Sequence, residues 1–319
     1  MNDLLYRISH LLELGPVTEP PRRLTGGFLH SMYSLFTERG KYAIKLLNPH
    51  IMARPQAMDN FLRAEALETR LEQASVSILP ALTFGGRKMQ QVDGQYFYVF
   101  DWFDGRALQS DSVREEHCTA VAGQLARIHA IDHRIEIFEY TDDAIDWNDL
   151  ILRMSVRNPE LCALLTQNLD LLQTTESRAR NAFAQLPQSA AICHNDMDCK
   201  NILWNGSNFR IIDLECLGWG NPAVELYETA LCWSGMENCR VDPNRFDAFI
   251  RAYENAGGDL PSSWNAVHDA NCGRLHWLAY NIRRALGMDC SDEEISIGES
   301  EVRKTIPQLI HYHEIRKRL

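Results

Sequence analysis

The sequence predicts an α+β protein of two lobes, a small β-rich one followed by a larger, mainly helical one. Three observations lead there. Residues 23–46 and 79–100 carry apolar residues in short runs bounded by turn formers, which is how strands read. Residues 112–132, 142–186, 223–233 and 268–287 instead repeat apolar residues three and four apart, the period of amphipathic helices. Between these regions, residues 192–215 gather His194, Asp196, Asn201, Asp213 and Glu215 into one stretch flanked by apolar runs. A chain of 319 residues is long enough to bury a core in each of two lobes.

The polar stretch carries the chemistry. Asp196 and Asn201 are five residues apart, and Asp213 follows twelve later. Residues 202–204 and 209–212 read as a β-hairpin turned by Asn205, Gly206, Ser207 and Asn208. Phosphoryl transfer from a nucleotide asks a protein mainly for positioning and charge neutralisation. One carboxylate orients the attacking hydroxyl, while an Asn and a second Asp hold the metal ions that bridge the phosphates. Asp196 suits the first task and Asn201 with Asp213 the second, with His194 holding the shape of the loop. A bare His-x-Asp would be an ordinary polar turn. The whole pattern of HxDxxxxN, strand, turn and strand ending in Asp is far more specific.

That pattern resembles the catalytic and metal loops of the aminoglycoside phosphotransferase and choline kinase-like family, small-molecule relatives of the protein kinases. A protein kinase has Lys two residues after its catalytic Asp, where this chain has Asp198, and Lys200 comes four after. A protein kinase also follows its metal Asp with Phe-Gly, where this chain has Leu214 and Glu215. Both departures point to the small-molecule branch. The resemblance implies a bilobal protein kinase-like fold. Residues 1–100 would form the nucleotide-binding lobe, 101–105 a hinge and 106–319 the catalytic and substrate-binding lobe. It further implies Mg²⁺, ATP or GTP as donor between the lobes, and a small-molecule acceptor that is aminoglycoside-like or choline-like.

In chain order, residues 2–14 form an amphipathic helix through Leu4, Leu5, Ile8, Leu11 and Leu12, closed by Gly15 and Pro16. Gly26 and Gly27 sit between two strands, where backbone amides can approach phosphate oxygens. The strand 42–46 presents Lys45 in a pattern that resembles the kinase VAIK strand, whose Lys contacts the α- and β-phosphates. Its carboxylate partner is expected on the helix over 57–74, where Glu65 continues the stripe of Met58, Phe61 and Leu62, with Glu68 as competitor. Residues 79–84 and 95–100 read as a strand pair, and the backbone at Asp101, Trp102 and Phe103 would by resemblance pair with the nucleotide base. His129 shares the core face of its helix with Val121, Leu125 and Ile128 and reads as structural.

Beyond the polar stretch, Asn221, Pro222, Glu225 and Leu226 stand where the family has Asp-Pro and Asp-Leu pairs, with bracing as their expected task. Glu215 either extends the metal site or caps its loop. Residues 268–287 read as one helix with Leu275, Leu278, Ile282 and Leu286 on the core side and Asp269, Trp277, Asn281 and Arg284 opposite. Asp269 and Trp277, with Glu215, are candidates to hold a cationic acceptor through charge and cation–π attraction.

Composition limits the partners. A net charge of −11 argues against nucleic acid and is compatible with a cationic substrate. Nine cysteines form no CxxC pair and no zinc spacing with the eleven histidines, which suits reduced thiols in the cytoplasm. No apolar run is long enough to cross a bilayer, so no membrane partner is expected. Monomer and dimer are equally open. Two other readings compete with the small-molecule kinase. A protein kinase lacks support because no APE-type activation segment follows Asp213. A nucleotide-binding regulator without turnover would have no need of Asp196, Asn201 and Asp213 together.

Overall fold

The computed structural model describes residues 2–24, 29–137, 144–288 and 290–316. The chain forms two compact units. One comprises Met1–Gln109 and His194–Gly218, the other Ser110–Cys193 and Trp219–Leu319. The polar stretch thus groups with the N-terminal unit, whereas the sequence reading runs the second lobe unbroken from residue 106.

In the first unit a five-stranded antiparallel sheet runs Arg22–Leu24, Ser31–Phe36, Lys41–Leu46, Gln95–Asp101 and Gln90–Val92. Alternation along the strands fixes its two faces. Tyr33, Leu35, Ile44, Leu46, Phe97 and Val99 pack with Leu5 and Ile8 of the helix Asn2–Leu11. On the opposite face Lys45 stands across from Tyr98 in register, and Tyr98 packs with Phe61 of the helix Ala57–Gln73.

Three expectations change here. The buried stripe of Ala57–Gln73 is Phe61, Ala64, Leu67, Glu68 and Leu71, while Leu62 is exposed. The strand expected over 79–84 is replaced by single bridges such as Ala81 with Phe100. Pro80 has no N–H to give a ladder, and the Ala81 N–H goes to Glu68 Oε1 at 2.7 Å. The true partner of Gln95–Asp101 is Gln90–Val92, joined through Asp93 and Gly94 in left-handed conformations.

The hairpin forms as expected, Ile202–Asn205 against Asn208–Ile211 with Gly206 at φ 59° in the turn. Leu203 and Trp204 also pair with Arg106–Ala107. Ile211 exchanges backbone hydrogen bonds with the segment after Ala57–Gln73, its N–H to Ser77 O and its carbonyl from Leu79 N–H, each at 2.8 Å. These bonds explain why the polar stretch belongs to the sheet unit.

The second unit is helical around a short antiparallel strand pair, Ser189–Cys193 with His133–Ile135. Its helices start where the sequence supplies caps. Asn158, Asn221 and Asp242 each accept a backbone N–H with a proline following, opening Pro159–Gln167, Pro222–Trp233 and Pro243–Asn255. The insert over 142–186 is helical in its described part, as Trp147–Arg157, Pro159–Gln167 and Leu169–Phe183. Their apolar faces meet Leu275, Leu278, Ile282, Val302 and Ile306. Among the described residues, no helix is long and apolar enough to cross a membrane.

The single helix expected over 268–287 is broken. Trp264–Asn271 and Leu275–Ala285 are separated by Cys272, Gly273 and Arg274, all left-handed with φ of 49°, 52° and 68°. Tyr312 supplies the reason. Its ring stacks on His268 at 3.9 Å, its hydroxyl donates to His268 O at 2.6 Å and accepts from Asn271, and a Cβ on Gly273 would lie 2.6 Å from the ring.

Two stability predictions follow from this packing. In the helix Asp292–Arg316, a Cβ on Gly298 would lie 2.6 Å from Ala285 N and 2.9 Å from Asn281 O, both backbone atoms. Gly298→Ala therefore destabilises by about 2 kcal/mol in urea melts. Gly123, inside Glu115–His129, faces open space, and Gly123→Ala stabilises by about 0.5–1 kcal/mol.

His268 makes stability acid-sensitive. Burial outweighs the pull of Asp269 and lowers the imidazole from 6.5 to about 4. The unfolded chain binds that proton near pH 6.5 and the folded one only near pH 4, so the contribution is intact above pH 6.5. It falls by up to about 3 kcal/mol as pH drops through that window. His268→Asn should flatten the pH dependence of the unfolding free energy over the same range.

Candidate active site

Backbone and side-chain hydrogen bonds shape the loop that carries Asp196. His194 is fully buried; its Nδ1 accepts the Asp196 N–H at 3.3 Å, which leaves Nε2–H to donate to Ile212 O at 3.1 Å. Asn195 is left-handed at φ 62°, and its amide donates to Cys216 O at 2.9 Å. Asn201 Nδ2 donates to both the backbone oxygen and Oδ2 of Asp196, at 2.7 and 2.8 Å. Lys200 sits 3.4 Å from Asp196 and 3.6 Å from Asp198. Burial, then the neighbouring Asp198, raises the Asp196 carboxyl above its usual range against the pull of Lys200.

The second half of the site begins at Asp213, a non-glycine residue at φ 62°, ψ 53°. Backbone strain of this kind is held in place only where the surroundings over-determine it. Ile212 N–H donates to Asn201 O at 2.9 Å, tying the two halves together. The Lys45 ammonium then bonds both Asp213 Oδ1 and Glu215 Oε2. Glu215 Oε1 lies 3.3 Å from His30 Nε2, while His30 Nδ1 accepts the Asn48 N–H at 2.9 Å. Burial alone would raise the Glu215 carboxyl, but Lys45 and then His30 hold it down at about 2. Burial would likewise lower the Lys45 ammonium, and Asp213 with Glu215 outweigh it and raise it.

The other sequence-derived candidates fall out differently. Glu65 does not pair with Lys45; it accepts the Tyr98 hydroxyl at 2.7 Å, beside Lys45 on the same face. Glu68, the competitor, binds Lys88 at 2.6 Å and pins the chain at Ala81. Gly26 and Gly27 lie outside the described residues. Asp101 ends its strand, Trp102 N–H donates to Lys41 O at 2.9 Å, and Phe103 O accepts the Gly105 N–H at 2.9 Å. Gly105 is required there, since a Cβ would lie 2.4 Å from the Phe103 ring.

The acceptor face drawn on one continuous helix does not form. Asp269 is held by a two-pronged Arg316 ion pair at 2.5 and 2.7 Å, Trp277 donates to Glu301 at 3.0 Å, and Asn281 and Arg284 are buried. Glu215, the third acceptor candidate, belongs to the other unit and faces Lys45. His129, read as structural, uses Nε2 on Glu225 and Nδ1 on the Tyr253 hydroxyl, both at 2.7 Å, with Cys193 Sγ 3.8 Å away. The ligand atoms of His129, Cys193 and Glu225 lie within 4.8 Å of one another, close enough to hold a metal ion. Their hydrogen bonds already satisfy both ring nitrogens, so bracing accounts for them. His30 is the residue the sequence reading missed. Its signal was an imidazole three residues beyond the glycine pair, which no periodicity distinguishes from a strand residue.

Asn201 and Asp213 suit a hard divalent cation such as Mg²⁺. Both contacts of the Asn201 amide to Asp196 run through nitrogen, leaving Oδ1 as the oxygen it offers a cation, and Asp213 adds carboxylate oxygens. The class defined by this fold and polar set is a kinase-like phosphotransferase. The model of the phosphotransferase enzyme family matches residues 21–265, and the chain belongs to that family. Ethanolamine kinase 2 of Homo sapiens is 23% identical over 203 residues, 61% of this chain, and the chain spans 45% of that protein's length. A homoserine kinase of Methylobacillus glycogenes is 23% identical over 252 residues, 78% of this chain and 72% of its own. A spectinomycin phosphotransferase solved with ADP and spectinomycin aligns with a TM-score of 0.69 at 13% identity, covering 95% of this chain and 96% of that one. The protein kinase-like α+β fold expected from the sequence therefore stands.

Lys45 is the only cation that bonds both Asp213 and Glu215 among the described residues. Lys45→Met should lower stability by about 2 kcal/mol by leaving two part-buried carboxylates facing each other. Millimolar MgCl₂ should recover part of that loss in thermal melts while leaving the native protein little changed.

Proposed function

We propose that the protein transfers the γ-phosphate of ATP or GTP, with Mg²⁺, to a hydroxyl group of a small molecule. The observation that carries this reading is the grouping, in one unit, of the Asp196–Asn201 pair with the Lys45–Asp213–Glu215 centre. Asp196 orients the acceptor hydroxyl and takes its proton as the new bond forms. Asn201 and Asp213 supply the oxygens for the metal, and Lys45 the positive charge for the donor phosphates. Held by Asn201 and Asp213, magnesium would supply charge neutralisation for the donor phosphates. His194 keeps the Asp196 backbone in place through its Nδ1.

The relatives' chemistry supports an acceptor class. Ethanolamine is an amino alcohol and homoserine a hydroxy amino acid, each with an amine and a hydroxyl, and spectinomycin is the ligand of the aligned structure. An acceptor with a hydroxyl and an ammonium group also agrees with the net charge of −11. The test is ADP release with Mg·ATP and Mg·GTP against amino alcohols, homoserine, aminoglycosides and spectinomycin. Asp196→Asn should lower kcat on the order of 10²–10⁴-fold with nucleotide affinity retained. Undiminished turnover in that variant contradicts the role given to Asp196.

A further inference from the structure

We propose that His30 is a positioning residue that holds Glu215 at the metal loop independently of Lys45. The inference rests on the phosphotransferase reading above and extends it to a residue outside the catalytic pattern. His30 is 8% exposed, with Phe61 edge-on to its ring at 6.0 Å. Its two nitrogens have separate tasks. Nδ1 faces the Asn48 N–H at 2.9 Å and can only accept, so the ring proton resides on Nε2, which lies 3.3 Å from Glu215 Oε1.

Glu215 is consequently held at both oxygens by different groups, Oε1 by His30 and Oε2 by Lys45. Asp213 is bonded by the same ammonium. One positive charge thus serves two carboxylates, and a phosphate oxygen would compete for it. Whenever Lys45 turns away, Asp213 and Glu215 lose their shared partner, yet Glu215 keeps the imidazole. Its Oε2 then stays aimed at the position the ammonium leaves, available to a divalent cation. The Asn48 N–H anchors the imidazole to the chain just after Lys41–Leu46, so one contact chain links the Lys45 strand to the metal loop.

Side-chain length separates the two tasks. In His30→Gln the amide nitrogen reaches the place of Nε2 and can still donate to Glu215. In His30→Asn the shorter side chain can accept from Asn48 but falls short of Glu215. Binding of a non-hydrolysable ATP analogue, titrated with MgCl₂, should stay near native in His30→Gln. It should weaken about tenfold in His30→Asn, the loss of one hydrogen bond to a charged group, with the melting temperature kept. Near-native binding in His30→Asn, or equal weakening in both variants alongside equal loss of melting temperature, overturns the proposal.

Imidazole nitrogen NMR of the native protein gives a readout that needs no nucleotide. His30 should show the Nε2–H tautomer, with that proton shifting in Glu215→Gln, and an Nδ1–H tautomer overturns the proposal. A native protein that binds no nucleotide counts against the phosphotransferase reading, while these spectra still decide the case for His30.

Discussion

Lys45 meets Asp213 and Glu215 across 168 and 170 residues of sequence, and the sheet unit is arranged so that this meeting occurs. Strand alternation turns Ile44 and Leu46 into the core and Lys45 to the other face, opposite Tyr98. The hairpin that delivers Asp213 is tied to Ser77 and Leu79 by backbone bonds and to Asn201 through Ile212. A left-handed Asp213 then redirects the chain so that Glu215 returns to the same ammonium. Two carboxylates two residues apart would repel if left together in a part-buried site, and the lysine charge makes the arrangement stable. His30 lies at the other oxygen of Glu215.

The helical unit solves a different problem with the same economy of polar groups. His129 joins Glu225 of Pro222–Trp233 and Tyr253 of Pro243–Asn255, so three helices share one buried and satisfied network. Tyr312 performs a similar task around His268, and the left-handed run Cys272–Arg274 is the conformational consequence. Neither network needs a ligand to explain it.

Much of this was legible in the sequence. The hairpin, the helical insert and the strand bearing Lys45 follow from period and turn chemistry, which are local properties. The grouping of Asp196, Asn201 and Asp213 was legible because the residues lie within twenty of one another and a known pattern links them. What sequence spacing does not carry is which distant charge reaches which. Glu65 and Glu68 both lie near the face that Lys45 occupies, yet a tyrosine hydroxyl takes the first and Lys88 the second. The break at Cys272–Arg274 was hidden because helical periodicity continues across it, and the cause, Tyr312, lies about forty residues on. His30 was hidden for a related reason: its partners are a backbone N–H and a carboxylate from another segment.

The most direct measurement follows a labelled γ-phosphate from Mg·ATP into products in the presence of an amino alcohol or aminoglycoside acceptor. Label is expected on an acceptor hydroxyl, dependent on the divalent cation. Label recovered only as inorganic phosphate or on protein, or no binding of the nucleotide at all, would contradict it.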